Sequence, residues 1–242
     1  MMSRFFIELK KTKRTGVIPI MLLVSLVGAF YTYAFIALQK ETLLSLDLTF
    51  SQMLLTQASS FVMVINLFQI VLVKSIIYNM DYRGNAVKKM YMLPVKIHGI
   101  YLSKLAICVI ALFICILIEY IALFMIGRFV FPLEILDISE FIIFAFYTFI
   151  SSLPSLTFML LIASRNENIW TVIGIGVVGF LSGMTMAMGK GILFLLNPFV
   201  LILKPSISSV IEPQMLNLVI SITESIIFTL GGVFLAEKIF YE

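Results

Sequence analysis

Residues 105–126 read LAICVIALFICILIEYIALFMI, an apolar run in which Glu119 is the only charged side chain. An α-helix rises about 1.5 Å per residue, so about 20 mainly apolar residues are enough to cross the core of a bilayer. A strand of a membrane β-barrel needs only about half of that length. The run therefore predicts a membrane-spanning α-helix.

Five other segments share this length and apolar character: Val17–Leu38, Leu54–Ile77, Phe141–Ile162, Ile169–Met188 and Met215–Leu235. The 242 residues are 61% hydrophobic and 12% charged, whereas an average soluble domain is about 25% charged. This composition leaves too little polar surface for a water-soluble globule. We therefore expect an all-α, polytopic membrane protein with six transmembrane helices in a single domain over residues 1–242.

The first 16 residues, MMSRFFIELKKTKRTG, are amphipathic. Met2, Phe5, Phe6 and Leu9 share one helical face, and the basic side chains lie mostly off it. This pattern predicts an N-terminal helix that lies in the headgroup region of the membrane. A signal peptide is the alternative, but the following apolar run is too long for one and no A-x-A cleavage site follows it.

The basic residues are concentrated on one side of the predicted spans. Only four of the 17 Lys and Arg residues fall on the other side: Lys40, Arg128, Lys190 and Lys204. Because cytoplasmic loops carry an excess of Lys and Arg, we expect a multi-pass protein of the plasma membrane with both termini in the cytoplasm. Topology thus accounts for the basic clusters, and we predict no binding of nucleic acid.

The outer segment 190–212 contains an apolar run that is too short to span the membrane. The run, Ile192–Leu203, is interrupted by Asn197 and Pro198. Two short helices that dip into the outer leaflet as a re-entrant element fit both features. A plain buried loop is the alternative.

Two glycine-rich stretches look like nucleotide-binding motifs in the wrong context. Gly174, Gly176 and Gly179 satisfy G-x-G-x-x-G, but they lie inside a predicted span and no acidic residue follows about 20 positions later. Gly179 and Gly183 form G-x-x-x-G, which allows close helix packing. Residues 183–191, GMTMAMGKG, have neither the spacing nor the Ser/Thr of a P-loop. We therefore interpret the glycines as packing positions and expect no cofactor bound directly by this chain.

Residues for metal-dependent or nucleophilic catalysis are scarce. The sequence contains one histidine, His98, and two cysteines, Cys108 and Cys115. The cysteines point the same way from one helix, so they are poorly placed to bond to each other, and we interpret them as small buried hydrophobes. We predict no metal site and no catalytic residue, and hence no enzyme.

Three charged side chains lie within the predicted spans. Glu119 and Glu224 are expensive to place in lipid, so both are candidates for a substrate path. Glu119 has an alternative position near the outer interface, with partial solvation, and Glu224 could be satisfied by the neighbouring Ser221, Thr223 and Ser225. Lys74 lies near the inner end of its span, and we expect its ammonium group to snorkel to the surface.

The longest inner loop lies within residues 74–105, KSIIYNMDYRGNAVKKMYMLPVKIHGIYLSKL. Met80, Gly84, Val87 and Tyr91 follow helical spacing, and Pro94 disfavours helix at the residue before it. The loop, residues 78–98, therefore predicts a short amphipathic helix at about 79–93. Such a helix suits either the membrane surface or a groove on a partner protein.

This loop resembles the coupling-helix region of ABC-2 type exporter permeases. The matching positions are Asp81, Arg83, Gly84, Leu93, Pro94, Lys96 and Lys104. Many relatives carry Glu at the position of Asp81. The short length also resembles small Gram-positive permeases for lantibiotic self-protection, for bacitracin-type resistance and for the export of amphipathic peptides.

The resemblance implies a transport subunit without ATPase activity. It implies that two six-span subunits, as a homodimer or a heterodimer, pair above separate ABC ATP-binding subunits, which hold ATP and Mg²⁺. It assigns contact with the ATPase to Asp81, Arg83, Gly84, Val87, Lys88, Lys89, Leu93 and Pro94. The expected cargo is an amphipathic peptide, such as a lantibiotic, taken from the membrane lipid.

Several alternatives remain open at this stage. The cargo could be another lipophilic molecule, such as a lipid-linked glycan. A six-helix secondary transporter would show internal repeats and more intramembrane charges. A membrane enzyme is a further alternative, but the sequence lacks the histidines that it would need. A membrane scaffold or sensor subunit is another, and it differs from a permease because it needs no ATPase partner.

Overall fold

The structure is a computed structural model that describes residues 2–38, 49–82, 97–132, 136–189, 191–207 and 213–238. These residues are helical almost throughout. The elements are α1 (Met2–Arg14), α2 (Val17–Leu38), α3 (Phe50–Tyr82), α4 (Ile97–Val130), α5 (Ile138–Arg165), α6 (Ile169–Ala187), a 3-10 helix (Ile192–Leu196), α7 (Pro198–Ile207) and α8 (Met215–Lys238).

Six of these helices, α2–α6 and α8, are long and apolar enough to cross a membrane. The prediction of a six-span, all-α membrane protein is therefore confirmed, and the bounds of α2 match the predicted Val17–Leu38. We call the end of the bundle that holds α1 and the α3–α4 connection the inner end, and the opposite end the outer end.

Helices α3 and α4 are longer than predicted, with 33 and 34 residues. At about 1.5 Å per residue each is roughly 50 Å long, so both project beyond the hydrocarbon core. Hydropathy marks only the part of a helix that faces lipid, whereas backbone hydrogen bonding continues through the polar residues beyond it. Residues 79–82, which we expected in a separate coupling helix, belong to the end of α3.

Helices α3 and α5 form the centre of the bundle, and α2, α6 and α8 are its most exposed spans. Polar contacts hold the inner end of α3 against the α5–α6 turn. The Tyr82 hydroxyl donates to the Ser164 carbonyl at 2.6 Å, and the Asn79 amide donates to the Glu167 carbonyl at 3.2 Å.

Gly176, Gly179 and Gly183 of α6 pack against neighbouring helices, as we interpreted them from the sequence, whereas a Cβ atom on Gly174 would meet no atom within 4 Å. A Cβ atom on Gly176 would overlap Val71 of α3, and one on Gly179 would overlap the Phe199 ring of α7. A Cβ atom on Gly183 would lie 2.8 Å from Cβ of Phe199. The absence of side chains on this face of α6 allows α3 and α7 to approach its backbone closely.

The segment between α6 and α8 folds into two short helices, the 3-10 helix and α7. Pro198, at the start of α7, accepts a hydrogen bond of 2.7 Å from the Ser155 hydroxyl, which lies past the midpoint of α5 from its outer end. Phe199 packs edge-on against Phe158, also in the inner half of α5. The chain thus descends from the outer end, turns at Asn197 and returns through α7, which agrees with the re-entrant interpretation and not with a plain loop.

Candidate functional site

A buried group of charges lies at the inner end, where α1, α3 and α4 meet. Lys104 of α4 is 3% exposed, and its ammonium nitrogen lies 2.8 Å from Asp81 Oδ2 of α3 and 3.0 Å from Glu8 Oε2 of α1. The same nitrogen lies 5.1 Å from the centre of the Tyr78 ring. One lysine therefore joins three helices through opposite charges that water barely reaches.

Lys11 of α1 closes this group on its more exposed side. Its ammonium nitrogen lies 2.7 Å from Glu8 Oε1 and 3.8 Å from Asp81 Oδ1. Lys11 and Lys104 balance the two carboxylates, so the four side chains together are neutral. We call Glu8, Lys11, Asp81 and Lys104 the inner ion cluster.

The inner ion cluster brackets the connection between α3 and α4. Asp81 is next to the last residue of α3, and Lys104 lies two turns into α4. The helix ends on either side of the loop are thus joined to each other by the Asp81–Lys104 ion pair, and to α1 by the Glu8–Lys104 ion pair. A displacement of the loop must therefore be transmitted to α1 or break a buried ion pair.

The structure adds a contact of α1 that the sequence analysis did not predict. Phe6 and Ile7 are exposed on the outside of the bundle, while Glu8 and Thr12 face inward. The Lys104 ammonium group supplies the physical reason, because an acidic partner offsets part of the cost of burying its charge. The acidic residue in a basic segment was the only signal of this contact.

Glu8 is held in its charged form by this arrangement. Burial raises the pKa of Glu8, but the nearby ammonium groups of Lys104 and Lys11 outweigh it, so that the net pKa lies below the ordinary value of 4.5. A carboxyl group with a lowered folded-state pKa contributes stability that is complete above its unfolded pKa and is lost as the pH falls through its folded pKa.

We therefore expect the stability advantage of the wild type over Glu8→Gln to be constant near neutral pH and to shrink as the pH falls below about 4.5. Thermal unfolding in detergent from pH 7 to pH 3.5 measures this difference. A difference in Tm that is the same at both ends of the range would contradict a charged Glu8 in the folded protein.

The other predicted ATPase-coupling residues, Arg83, Gly84, Val87, Lys88, Lys89, Leu93 and Pro94, lie outside the described residues. Asp81 is the member of that set that the structure places. Its side chain faces Lys104 and Lys11 within the bundle.

Glu119 lies in the middle of the bundle and is 3% exposed. The amide of Asn66 donates to its Oε2 atom at 2.5 Å, while its Oε1 atom has no hydrogen-bond partner among the described residues. The alternative of a partly solvated Glu119 near the outer interface is wrong, because α2 and α3 cover the carboxylate. On α3, one turn from Asn66, Gln69 donates to the Ser25 hydroxyl of α2 at 2.9 Å.

Glu224 of α8 is also buried, and its Oε2 atom lacks a hydrogen-bond partner among the described residues. The neighbouring hydroxyls do not satisfy it, contrary to the alternative considered above. Ser225 donates to the Ser221 carbonyl and Thr223 to the Val219 carbonyl of the same helix. The structure places Glu119 and Glu224 on different helices and shows no contact between them within the described parts of the chain.

Lys74 does not snorkel, and this expectation is wrong. Its side chain is 1% exposed, and its ammonium group lies beside the Cys108 thiol of α4. The side chain leaves α3 toward α4 and not toward the inner surface. Cys108 and Cys115 are both buried and free, as interpreted from their spacing.

A bundle of six spanning helices with charged and amide side chains at its centre defines a polytopic membrane protein. Residues 5–183 match a family model described as ABC-2 family transporter protein. This match covers well over half of the 242 residues, so the chain belongs to the ABC-2 family of transporter proteins. The comparison with curated proteins gave no match.

Membership of this family makes the chain the membrane subunit of an ATP-driven ABC exporter. The family implies association with an ABC-type ATPase. The resemblance found in the coupling loop is thereby confirmed at the level of the family.

Proposed function

We propose that this chain exports an amphipathic peptide, of the kind represented by lantibiotics and bacitracin-type antibiotics, and so protects the cell that carries it. ATP and Mg²⁺ are bound by the separate ATPase subunit, and two permease subunits pair around one pathway. Both termini and the inner end of the bundle face the cytoplasm, where the ATPase is. Family membership and the excess of Lys and Arg at the inner end support this arrangement.

The inner ion cluster is the observation that carries the coupling part of this proposal. Loop residues 83–96 connect α3 to α4, and both of these helices extend beyond the membrane core as rigid rods. Asp81 and Lys104 bond the two rods to each other, and Glu8 adds α1. A push on the loop therefore moves three helices together, whereas a flexible connection would absorb it.

An apolar groove on the outer half of the bundle supports an amphipathic cargo. The groove lies between α4 and α5, has a volume of about 340 Å³ and presents no polar surface. Tyr120, Phe124, Phe141 and Phe146 contribute aromatic side chains to it. Such a surface suits the apolar face of a peptide that arrives from the lipid.

A proline within the helix that the sequence predicts for the loop tests the coupling role. We expect Val87→Pro to lower export about tenfold or more, since proline costs roughly 3 kcal/mol inside a helix, while ATP hydrolysis by the complex continues. Export is measured with fluorescent peptide in proteoliposomes, alongside ATPase activity and membrane abundance. Val87→Leu is the matched control. Normal export by a stable Val87→Pro variant would refute the coupling role.

Charge reversal tests the same surface without a backbone change. We expect the double variant Lys88→Glu/Lys89→Glu to lose ATPase binding, and Lys13→Glu on the exposed side of α1 to keep it. Gentle solubilisation followed by affinity purification shows whether the ATPase co-purifies. Export by purified permease that has no nucleotide-hydrolysing partner would overturn the proposed function.

The cargo is tested in cells with and without the gene. We expect loss of the gene to sensitise cells to amphipathic antimicrobial peptides and not to small hydrophilic antibiotics. A change in surface polysaccharide with unaltered peptide sensitivity would instead assign a lipid-linked glycan as the cargo.

A further inference from the structure

One face of α1 points away from the rest of the bundle. Phe6 is 61% exposed and Ile7 is 57% exposed, and Lys10, Lys13 and Arg14 follow them on the exposed side. At about 100° per residue, these five positions fall within roughly 120° of the helix circumference. They therefore form one continuous surface of two large apolar and three basic side chains, which we call the α1 stripe.

The opposite face of α1 fixes the direction in which the stripe points. Glu8 and Thr12 are buried there, and Glu8 Oε2 lies 3.0 Å from the Lys104 ammonium nitrogen of α4. Helix α1 cannot rotate to bury Phe6 and Ile7 without breaking this ion pair. The apolar part of the stripe consequently stays on the outside of the protein.

The connection to α2 sets the depth of α1 relative to the membrane. Gly16 has a φ of 71°, and α2 begins at the next residue, Val17. A positive φ of this kind favours glycine and allows the chain to change direction within a short turn. Lys13 and Arg14 lie about one helical turn before the first residue of the span. The basic end of the stripe is therefore at the level where α2 enters the lipid.

The charges of the stripe have no counter-ions in the described part of the chain. The two carboxylates of the inner ion cluster are paired with its own two lysines, and no ion pair among the described residues includes Lys10, Lys13 or Arg14. Three positive charges beside two exposed apolar side chains complement a surface that presents anionic headgroups above acyl chains.

We propose that the α1 stripe binds anionic phospholipid in the leaflet at the inner end. The phosphate groups lie against Lys10, Lys13 and Arg14, and Phe6 and Ile7 enter the boundary between headgroups and acyl chains. A membrane surface fits better than the ATPase, because the stripe borders the start of a span, whereas the loop assigned to the ATPase lies at the projecting ends of α3 and α4. This binding does not depend on the identity of the cargo.

Quenching of tryptophan fluorescence by brominated lipid shows which lipid contacts the stripe. The reporter is Phe6→Trp in a Trp170→Phe background, which leaves a single tryptophan in the chain. The purified full chain is placed in phosphatidylcholine nanodiscs with a fixed minor fraction of phosphatidylglycerol. Either this fraction or an equal fraction of the phosphatidylcholine is brominated on its acyl chains. We expect brominated phosphatidylglycerol to quench at least about threefold more strongly.

Removal of the charges tests the cause of this preference. Lys10→Gln/Lys13→Gln/Arg14→Gln in the reporter chain should make the two brominated lipids quench equally. If this variant does not accumulate, Lys10→Gln alone should reduce the preference. The wild type is the matched control, because its own tryptophan, Trp170, is exposed at the inner end of α6 and should show a much smaller preference.

Four results would overturn the proposal. Absence of quenching by either lipid would place the stripe outside the membrane, and equal quenching of the reporter by both lipids would exclude a preference for anionic lipid. The same preference at Trp170 would indicate a general attraction of phosphatidylglycerol to the protein. Loss of quenching when the co-purified ATPase is bound would assign the stripe to that protein.

Discussion

Replacing Lys104 by methionine is expected to destabilise the protein by about 3–5 kcal/mol, because it leaves two buried carboxylates without their shared partner. Glu8 and Asp81 both lie within 3.0 Å of the Lys104 ammonium nitrogen. Without it, Lys11 remains as the only cation of the inner ion cluster, at 3.8 Å from Asp81. The loss is measured by chemical unfolding in mixed micelles, with the α1 contact followed by cysteine labelling at an introduced site.

The control for Lys104→Met is Lys13→Met, which removes the same charge from an exposed position of α1. It should change stability by less than about 0.5 kcal/mol. The triple variant Glu8→Gln/Asp81→Asn/Lys104→Met removes all buried charges of the three-way contact, and it should recover most of the lost stability. Equal stabilities for Lys104→Met and Lys13→Met would show that the inner ion cluster does not hold the helices together.

A second large effect is expected at the contact between α6 and α7. Gly179→Leu places a side chain where the Phe199 ring lies, and Phe199 is itself fully surrounded by protein. Overpacking of this kind costs about 1–3 kcal/mol and occasionally more. We expect a loss of that size, together with protease sensitivity of the segment that contains α7.

Gly174→Leu is the matched control, since a Cβ atom at this position of the same helix would meet no atom within 4 Å. It should leave stability within about 0.5 kcal/mol of the wild type. The double variant Gly179→Leu/Phe199→Ala tests the cause, because a smaller residue at 199 provides room for the leucine. If Gly174→Leu and Gly179→Leu behave alike, close packing of α7 on α6 is not the reason for the glycine.

The positions of the spans could be predicted because lipid imposes a simple requirement on composition. About 20 apolar residues must follow one another, and that rule located all six helices and the bounds of α2. It could not locate the ends of α3 and α4, because these extend into a polar region where hydropathy carries no information. The glycine pattern of α6 was informative for a similar reason, since close approach of two backbones excludes side chains.

The polar contacts of the candidate site could not be predicted in the same way. Glu8 and Lys104 are far apart in the chain, and nothing in either local sequence specifies the other. Lys74 shows the limit most clearly, since its place near a helix end favours snorkelling, while the actual neighbour is the Cys108 thiol. Such pairings depend on how each helix is rotated about its axis relative to its neighbours. The spacing of apolar residues in the sequence does not determine that rotation.

The re-entrant helix α7 has a consequence for biosynthesis. It is too short to cross a bilayer, and its N-terminal turn relies on Asn197, which accepts from the Phe199 amide at 3.0 Å and donates to Ser182 at 3.2 Å. In bare lipid those backbone groups would lack partners. The helices on which α7 packs, α3, α5 and α6, all precede it in the chain. They are therefore synthesised before α7. A truncated chain that ends after α7 should therefore already bury Phe199. If α7 were synthesised before these helices, it would remain at the membrane surface without packing partners.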